Sequence, residues 1–301
     1  MKKRLFISTG FYSSLLASVL AESSCGEIYE NHLLITIDRQ NIESNKIWAF
    51  RLHHWESIDF VGHEQYYNEK IDYHHNIPFF DEVFSPFPEM LLTVTSAFPA
   101  DRHFFYEEGL TSYYQFLNKQ YLPEAKFFCL HPFIYNDFHD LISIPISIEK
   151  VRDKLQCLVR CYIPPSLEGT NNVVIIGHGG FPDENSNRII RDEYIDIIKR
   201  KSKQGYNVVL LAHTRYPIDD ELLNRLKYDL SINFNFIYSD APISDLFLIK
   251  NSHKIKYIAG IYSTLLVNSK VICGINTFIF DSAALSERQR ALFEVQSCLL
   301  K

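Results

Sequence analysis

Short, continuous apolar runs separated by helical patterns are the feature that most constrains how this chain folds. In the second half of the chain, such runs of four to six residues occur at Val173–Ile176, Val208–Ala212, Phe234–Tyr238 and Lys256–Ile261. Apolar runs without polar alternation are typical of strands that are buried on both faces, as the strands of parallel sheets are. The second half of the chain is therefore expected to contain a buried parallel sheet.

Helical patterns fill the segments between these strands. Asp192–Gln204 carries an apolar stripe, and Gly205 follows where a helix C-cap belongs. Further elements are predicted as helices at Glu221–Leu230, at Ile243–Lys250 and from about Ser263, and as a fifth strand at Val271–Gly274. Strands that alternate with helices predict a parallel sheet covered on both faces.

The first half of the chain predicts a less regular α/β unit. Strands are expected at Arg4–Ser8, Leu33–Ile37, Ile47–Phe50, Met90–Val94, His103–Tyr106 and Lys126–Leu130. Asp72–Pro88, rich in His, Phe and Pro, is predicted to be a loop, either with a docking role or packed by its own aromatic rings. The 301 residues favour two domains, over residues 1–155 and 156–285, with a C-terminal helix over residues 286–301.

Composition narrows the class of protein. The net charge of −6 argues against a general nucleic-acid binder, which needs clustered Lys and Arg. The six cysteines are scattered without a C-x-x-C motif, which favours free thiols in a reducing compartment. No segment approaches the ~20 apolar residues that a membrane span needs. These observations predict a cytoplasmic protein.

The N-terminus allows two interpretations. A basic start followed by an apolar stretch that ends at Ala21 resembles a secretory signal. The alternative is a strand at Arg4–Ser8, a loop at Thr9-Gly10 and a helix from about Tyr12 to Glu22. Gly10 interrupts the apolar run and the cysteine pattern does not suit export, so strand, loop and helix is the favoured interpretation.

The acidic pair Glu107-Glu108 follows a predicted strand and precedes Gly109. Parallel sheets bind ligands beyond the carboxyl ends of their strands, so this position is a candidate site. Adjacent carboxylates repel each other, which favours one protonated group and one free base. The alternative interpretation is a solvated acidic turn.

Three loops that follow strands in the second half carry candidate anion-binding residues. Ser263 and Thr264 open a predicted helix, whose unpaired N–H groups attract anions, although the same pair suits ordinary N-capping. His213 and Arg215 can bind a phosphate, although a single histidine at a strand end is commonly structural. The glycine loop is too short for a dinucleotide-binding fingerprint; it consists of Gly177, His178, Gly179 and Gly180.

The order of these motifs resembles that of bacterial sialyltransferases, most closely the capsule polysialyltransferases. Glu107-Glu108-Gly109 is similar to the family's acidic pair before glycine, and Ser263-Thr264 is similar to its Ser/Thr pair. The opening loop with Gly10 and Ser13 is similar to the first loop of the family. Asp245 stands where the family more usually has the Glu that holds the ribose of CMP. In the His-Pro motif, His213 is followed by Thr214, and an intact His131-Pro132 pair lies in the first domain.

The resemblance implies an α/β fold of the GT-B type, with two Rossmann-like domains facing a central cleft. It implies an inverting transfer of sialic acid, or a related nonulosonic acid, from a CMP-activated donor onto a capsule or lipooligosaccharide glycan. Glu107 or Glu108 is then the general base, with Glu108 preferred because it is next to Gly109. Strand alternation lets only one of the two face the site, and the sequence does not say which. His213 would stabilise the leaving CMP, and Gly10 and Ser13 would lie on the substrate side. The residues expected to bind the donor are Gly177, His178, Gly179, Arg215, Asp245, Ser263 and Thr264.

The resemblance further implies no essential metal and no cofactor besides the CMP-sugar co-substrate. The expected partners are the donor and a glycan acceptor, with no nucleic acid, and contact with the inner membrane or the capsule machinery would be peripheral. Two alternatives stay open: a teichoic-acid-type transferase that uses a CDP-activated polyol, and a non-catalytic capsule-assembly protein on the same scaffold.

Overall fold

The computed structural model describes residues 1–23, 27–37, 42–62, 79–86, 97–121, 124–178, 183–213, 218, 220–230, 232, 234–237 and 243–301. The chain divides into two compact units, Met1–Lys154 and Leu155–Lys301. The division falls within a helix, Ile148–Tyr162. Each unit is built around its own parallel sheet.

The first unit contains a sheet of seven parallel strands in the order β3-β2-β1-β4-β5-β6-β7. The chain builds outward from β1 to β3, returns beside β1 with β4, and then builds in the opposite direction. The strands are β1 Lys2–Ser8, β2 Tyr29–Ile37, β3 Ser57–Gly62, β4 Phe80–Ser85, β5 Ala100–Tyr106, β6 Ala125–Cys129 and β7 Leu141–Pro145.

The helices described in the first unit are α1 Phe11–Ala21, α2 Ile42–Leu52, α3 Leu110–Leu117 and, across the division, α4 Ile148–Tyr162. Helix α1 is apolar on nearly all sides and is buried along almost its whole length, as expected of a helix within a core. Aromatic contacts join the sheet to these helices, because Phe116 of α3 packs on Phe105 of β5 and on Phe127 of β6.

The second unit contains a sheet of five parallel strands in the order β10-β9-β8-β11-β12. The strands are β8 Asn172–Gly177, β9 Asn207–Ala212, β10 Asn235–Ile237, β11 Ile255–Gly260 and β12 Thr277–Ile279. All six residues of β8 are buried, which agrees with the unbroken apolar run that predicted this strand.

The α-helices that begin in the described part of the second unit are α5 Glu184–Lys203, α6 Asp220–Asn224, α7 Ile243–Asn251, α8 Thr264–Val271 and α9 Glu287–Leu299. Their starts show why the sequence folds locally as it does. The Asp183 carboxylate accepts a hydrogen bond from the Ser186 N–H at 2.8 Å and caps α5. Ser286 and Gln289 form a reciprocal capping box at the start of α9.

Several predicted strands are confirmed and two are wrong. Ile47–Phe50 lies within α2, where Trp48 and Ala49 are buried while Ile47 and Phe50 are exposed. This is the period of a helix, and four residues were too few to distinguish it from a strand. Val271 ends α8, and the last strand begins only at Thr277.

The predicted loop Asp72–Pro88 contains the buried strand β4, Phe80–Ser85, and is wrong over those residues. An acidic pair, Asp81-Glu82, is not typical of a buried strand. Glu82 is nevertheless buried, and it forms ion pairs with Arg4 and Arg102. The predicted strand Met90–Val94 lies outside the described residues.

The N-terminal strand, loop and helix are present as expected, as β1 and α1. Strand β1 pairs with both β2 and β4 and is therefore central to its sheet. Among the described residues, no helix has the length and apolar character that crossing a membrane requires.

Candidate functional site

The strand orders locate one switch point in each unit, between β1 and β4 in the first and between β8 and β11 in the second. At a switch point the chain leaves two adjacent strands towards opposite edges of the sheet. This leaves a crevice beyond the carboxyl ends of those strands. Apart from Asp245, which lies in the helix after β10, the predicted residues lie after β1 and β5 in the first unit and at the ends of β8, β9 and β11 in the second.

Glu107 is a buried carboxylate in the first unit, with 2% of its surface exposed. It accepts hydrogen bonds from the Tyr12 hydroxyl at 2.5 Å, from the Leu130 N–H at 2.6 Å and from the Tyr113 hydroxyl. Burial raises the pKa of Glu107, while the hydrogen bonds from Tyr113, Tyr12 and Leu130 act in the opposite direction. Glu107 thereby joins α1, α3 and the end of β6.

Glu108 is the partly exposed member of the acidic pair. Its carboxylate accepts a hydrogen bond from the Thr9 hydroxyl in the loop after β1. Its own N–H donates to the Ser112 hydroxyl at 3.0 Å, and that hydroxyl in turn donates to the Pro86 carbonyl. The loops after β1, β4 and β5 therefore meet at Glu108, at the carboxyl edge of the sheet.

Two glycines allow these loops to turn directly into helices. Gly10, before α1, has φ 155° and ψ −162°, and Gly109, before α3, has φ 137° and ψ −157°. This region of backbone conformation is accessible essentially to glycine alone. Beside Gly10, the Ser8 hydroxyl lies 2.8 Å from the Ser13 hydroxyl and 2.6 Å from that of Ser14. Gly10 and Ser13 thus belong to a hydroxyl-rich turn that borders Glu108 through Thr9.

The His131-Pro132 pair follows β6 in the first unit. His131 is buried, its N–H donates to the Tyr113 hydroxyl at 3.1 Å, and its ring packs edge to face on that tyrosine. The pair is therefore part of the packing around Glu107.

In the second unit, His178 follows β8 and His213 follows β9. Their rings pack edge to face with centroids 4.7 Å apart, and Tyr262, after β11, contacts His178 at the same distance. Burial, with a smaller contribution from His213, lowers the pKa of His178 to about 3, so this imidazole is neutral at physiological pH. The three rings come from three different strand ends and converge at the switch point.

Ser263 is the N-cap of α8, and its hydroxyl accepts a hydrogen bond from the Leu265 N–H at 3.2 Å. Its own N–H donates to the Gln296 side chain at 2.6 Å, and the Gln296 amide donates to the Ile261 carbonyl at 2.9 Å. Gln296 is fully buried on α9. The C-terminal helix therefore fixes the loop in which Ser263 and Thr264 lie.

Tyr194 on α5 fixes the neighbouring loop in a similar way. Its buried hydroxyl donates to the Ile176 carbonyl and accepts from the His178 N–H, both at 2.9 Å. Gly177 lies between these two residues, and a Cβ there would come within 2.7 Å of Ile218. Because Gly177 has no side chain, Ile218 can pack closely against it.

Asp245 lies in the first turn of α7. Burial raises the pKa of its carboxyl to about 6, while hydrogen bonds from its own backbone and from the Asn268 side chain oppose the shift. Gly179, Gly180 and Arg215 lie outside the described residues.

Sequence reasoning did not identify the side chains that hold these loops. Thr9, Tyr12 and Tyr113 were not singled out in the first unit, nor Tyr262 and Gln296 in the second. Gln296 lies in the C-terminal helix, distant in sequence from Ser263, and no local pattern connects the two.

Comparisons with protein-family models and with curated proteins found no match. Solved structures share the fold. TcCGT1, solved in complex with UDP, aligns with TM-score 0.58 at 8% identity over 99% of this chain and 84% of its own. UDP-N-acetylglucosamine 2-epimerase from Rickettsia bellii aligns with TM-score 0.58 at 11% identity over 94% and 80%. A sialyltransferase from Photobacterium damsela aligns over 100% and 80% at 11% identity, with a TM-score of only 0.47.

At these identities the likeness concerns the fold. The strand orders and the structural alignments agree on it: this chain has an α/β fold of the GT-B type, composed of two Rossmann-like units.

Proposed function

We propose that this protein is an inverting glycosyltransferase that moves sialic acid, or a related nonulosonic acid, from a CMP-activated donor onto a glycan acceptor. The observation that carries the proposal is the different environment of the two acidic side chains. Glu107 is enclosed by three hydrogen-bond donors, whereas Glu108 is partly exposed at the carboxyl edge of the sheet. Only Glu108 is therefore accessible to an acceptor.

In this proposal Glu108 is the general base. It takes the proton of an acceptor hydroxyl while that oxygen forms a bond to the anomeric carbon of the donor. The bond between the anomeric carbon and the phosphate oxygen breaks, and its electron pair leaves with CMP. The Thr9 hydroxyl, which donates to the Glu108 carboxylate, orients the base.

The second unit binds the donor in this proposal. Negative charge develops on the phosphate of the leaving CMP, and donors fixed in advance stabilise such charge by ~3 kcal/mol each. His213 and the start of α8 are the candidate donors, since Ser263 caps that helix and Thr264 begins it. Asp245 is assigned to the ribose, and Gly177, His178, Gly179 and Arg215 to the loops around the nucleotide.

The CMP assignment draws on the motif order Glu107-Glu108-Gly109, Asp245 and Ser263-Thr264. It implies neither a metal nor a further cofactor. Cytoplasmic location and peripheral contact with the inner membrane or capsule machinery stay predictions of the sequence.

A thermal-shift screen of CMP, CDP, UDP and GDP tests the donor. A nucleotide present at a hundred times its Kd stabilises the folded protein by ~2.7 kcal/mol. We expect CMP to raise the melting temperature and UDP and GDP to leave it unchanged. A shift with UDP and none with CMP would overturn the donor assignment.

Transfer and hydrolysis assays with CMP-sialic acid and with CDP-glycerol then test the reaction. Release of CMP from CMP-sialic acid supports the proposal, whereas turnover of CDP-glycerol alone points to the polyol transferases. Nucleotide binding without turnover of either donor, across a panel of acceptor glycans, favours the non-catalytic alternative.

A further inference from the structure

A cavity outside the candidate site lies in the Leu155–Lys301 unit, beside β11 and the edge strand β12. Its volume is about 470 Å³. Its lining runs along β11 from Lys256 to Ala259 and along β12 to Ile279, beside α5. His178, His213 and Ser263 do not line it, so this cavity is separate from the candidate donor site.

The cavity is strongly cationic. Arg200 and Lys201 on α5 and Lys256 on β11 line it, and the described lining includes no Asp or Glu. Within the described part of the chain, none of these three cations has an ion-pair partner.

Two of these cations, Lys201 and Lys256, lie near the same aromatic ring, that of Tyr206. The Lys201 Nζ lies 5.9 Å from the ring centroid of Tyr206 and 5.1 Å from that of Tyr257, and the Lys256 Nζ lies 4.9 Å from the Tyr206 ring. Cation–π attraction holds both ammonium groups near one ring. Their mutual repulsion makes a bound anion favourable, because the anion would screen both charges at once.

The walls supply a hydrogen-bond donor and apolar surface. Tyr257 is 9% exposed, and its hydroxyl is buried with no hydrogen-bond partner in the described residues. A buried hydroxyl without a partner is unfavourable, so a ligand atom that accepts its hydrogen bond is favoured. Phe278 on β12 is 57% exposed and contacts Tyr257 edge to face, so a large apolar surface borders the charged end.

We propose that this cavity binds a phosphate monoester attached to an aromatic or apolar group. A phosphate monoester carries a charge of about −1.5 to −2 at neutral pH and three acceptor oxygens, which matches several converging cations better than a single carboxylate does. The apolar part of the ligand packs on Phe278, and the Tyr257 hydroxyl donates to a phosphate oxygen. The site is independent of the proposed transfer reaction.

Titration of the full chain with 4-fluorophenyl phosphate, followed by ¹⁹F NMR, tests the site. We expect saturable binding, and at least about tenfold weaker binding when Lys201→Gln and Lys256→Gln are combined, since each lysine makes a charge-assisted contact. Tyr257→Phe should weaken binding a few-fold. The matched control combines Lys199→Gln and Lys203→Gln, which remove two exposed cations from the same helix outside the cavity. The control should bind as the unmodified protein does.

Three outcomes overturn the proposal: no binding, equal binding by 4-fluorobenzyl alcohol, or binding that survives the cavity variant and is lost in a Ser263→Ala, Thr264→Ala variant.

Phosphatidylcholine vesicles with and without phosphatidic acid distinguish the source of the phosphate. Sedimentation with phosphatidic acid that requires Lys201 and Lys256 identifies a lipid headgroup. Binding of the soluble probe without sedimentation identifies a free ligand.

Discussion

The carboxyl edges of the two sheets share one topology and differ in chemistry. In each unit the chain places its first strand beside its fourth, so both edges have a switch point. The first unit places the Glu108 carboxylate there, which accepts from the Thr9 hydroxyl beside a turn that contains Ser8 and Ser13. The second places imidazoles and the start of a helix there. The two edges therefore share a backbone plan and differ in the side chains that they present.

The supports of the two edges differ as well. In the first unit a buried carboxylate, Glu107, collects three donors from separate elements. In the second, neutral side chains hold the loops: Tyr194 bridges a carbonyl and an N–H after β8, and Gln296 does the same after β11. We therefore expect the loops of the first edge to depend on the charge of Glu107. The loops of the second edge should depend on the individual hydrogen bonds of Tyr194 and Gln296.

The largest expected effect separates the two acidic residues. Glu108→Gln should lower turnover by about a hundredfold to ten-thousandfold, the range of a lost general base, with little change in melting temperature. Glu107→Gln should instead destabilise the fold by about 2–3 kcal/mol, because an amide cannot accept from all three donors at once. Transfer kinetics and thermal unfolding of both variants measure the difference.

Asp101→Asn is the matched control, since Asp101 is an exposed acidic residue on β5, the strand that precedes the acidic pair. It should change neither measurement. Full turnover by both glutamine variants would remove the acidic pair from the mechanism.

The second effect tests the anion-stabilising edge. His213→Gln should lower turnover by about a hundredfold, with a smaller change in CMP affinity, because charge on the leaving group develops mainly in the transition state. Replacing Ser263 and Thr264 together by Ala should weaken both quantities. Steady-state kinetics and CMP titration separate the two patterns.

His131→Gln is the informative counterpart, because it changes the intact His-Pro pair of the first unit. If it alone reduces turnover while His213→Gln stays within a few-fold of the unmodified enzyme, the assignment of His213 is wrong. A complex with CMP whose phosphate lies beyond ~3 Å of the His213 ring would contradict it directly.

The third effect concerns the C-terminal helix. Gln296→Leu should cost about 2–3 kcal/mol in the free energy of unfolding, because it leaves the Ile261 carbonyl and the Ser263 N–H buried without partners. CMP affinity should fall with it, since the same loop carries Thr264. Chemical denaturation and CMP titration measure both changes. Gln204→Leu, at an exposed position, is the control, and equal stability of the two variants would show that α9 does not support the site.

The smallest effect depends on pH. The pKa of Asp245 is about 6 in the folded protein, above its ordinary value of 3.8. Folding therefore favours the protonated form, and this contribution to stability is complete below about pH 3.8 and is lost as the pH rises through 6. Asp245→Asn should remove that decline and gain about 1 kcal/mol at pH 7, a value reduced for its partial exposure.

Denaturation curves between pH 4 and pH 7 measure the Asp245 effect. The low pKa of His178 makes stability rise over part of the same range, so the difference between Asp245→Asn and the unmodified protein isolates Asp245. Asp196→Asn, exposed on α5, is the control. Parallel curves for Asp245→Asn and the unmodified protein would show that its pKa is ordinary.

The sequence alone determined the α/β class and most of the buried strands. Runs such as Val173–Ile176 and Val208–Ala212 are apolar throughout because both faces of the sheet are covered. Strand β4 escaped detection because its charge pairs, Glu82 with Arg4 and Arg102, form only in three dimensions. The helical period of Ile47–Phe50 could not be recognised from four residues.

The sequence also identified the acidic pair and the hydroxyls at the start of α8, because adjacent carboxylates and helix caps are local patterns. Only the tertiary structure decided which carboxylate is accessible. Glu107 is enclosed because Tyr12, Tyr113 and Leu130 converge on it from three elements. Hydrogen bonds between residues distant in the chain, such as that from Ser263 to Gln296, leave no periodic signal in the sequence, because folding alone brings their partners together.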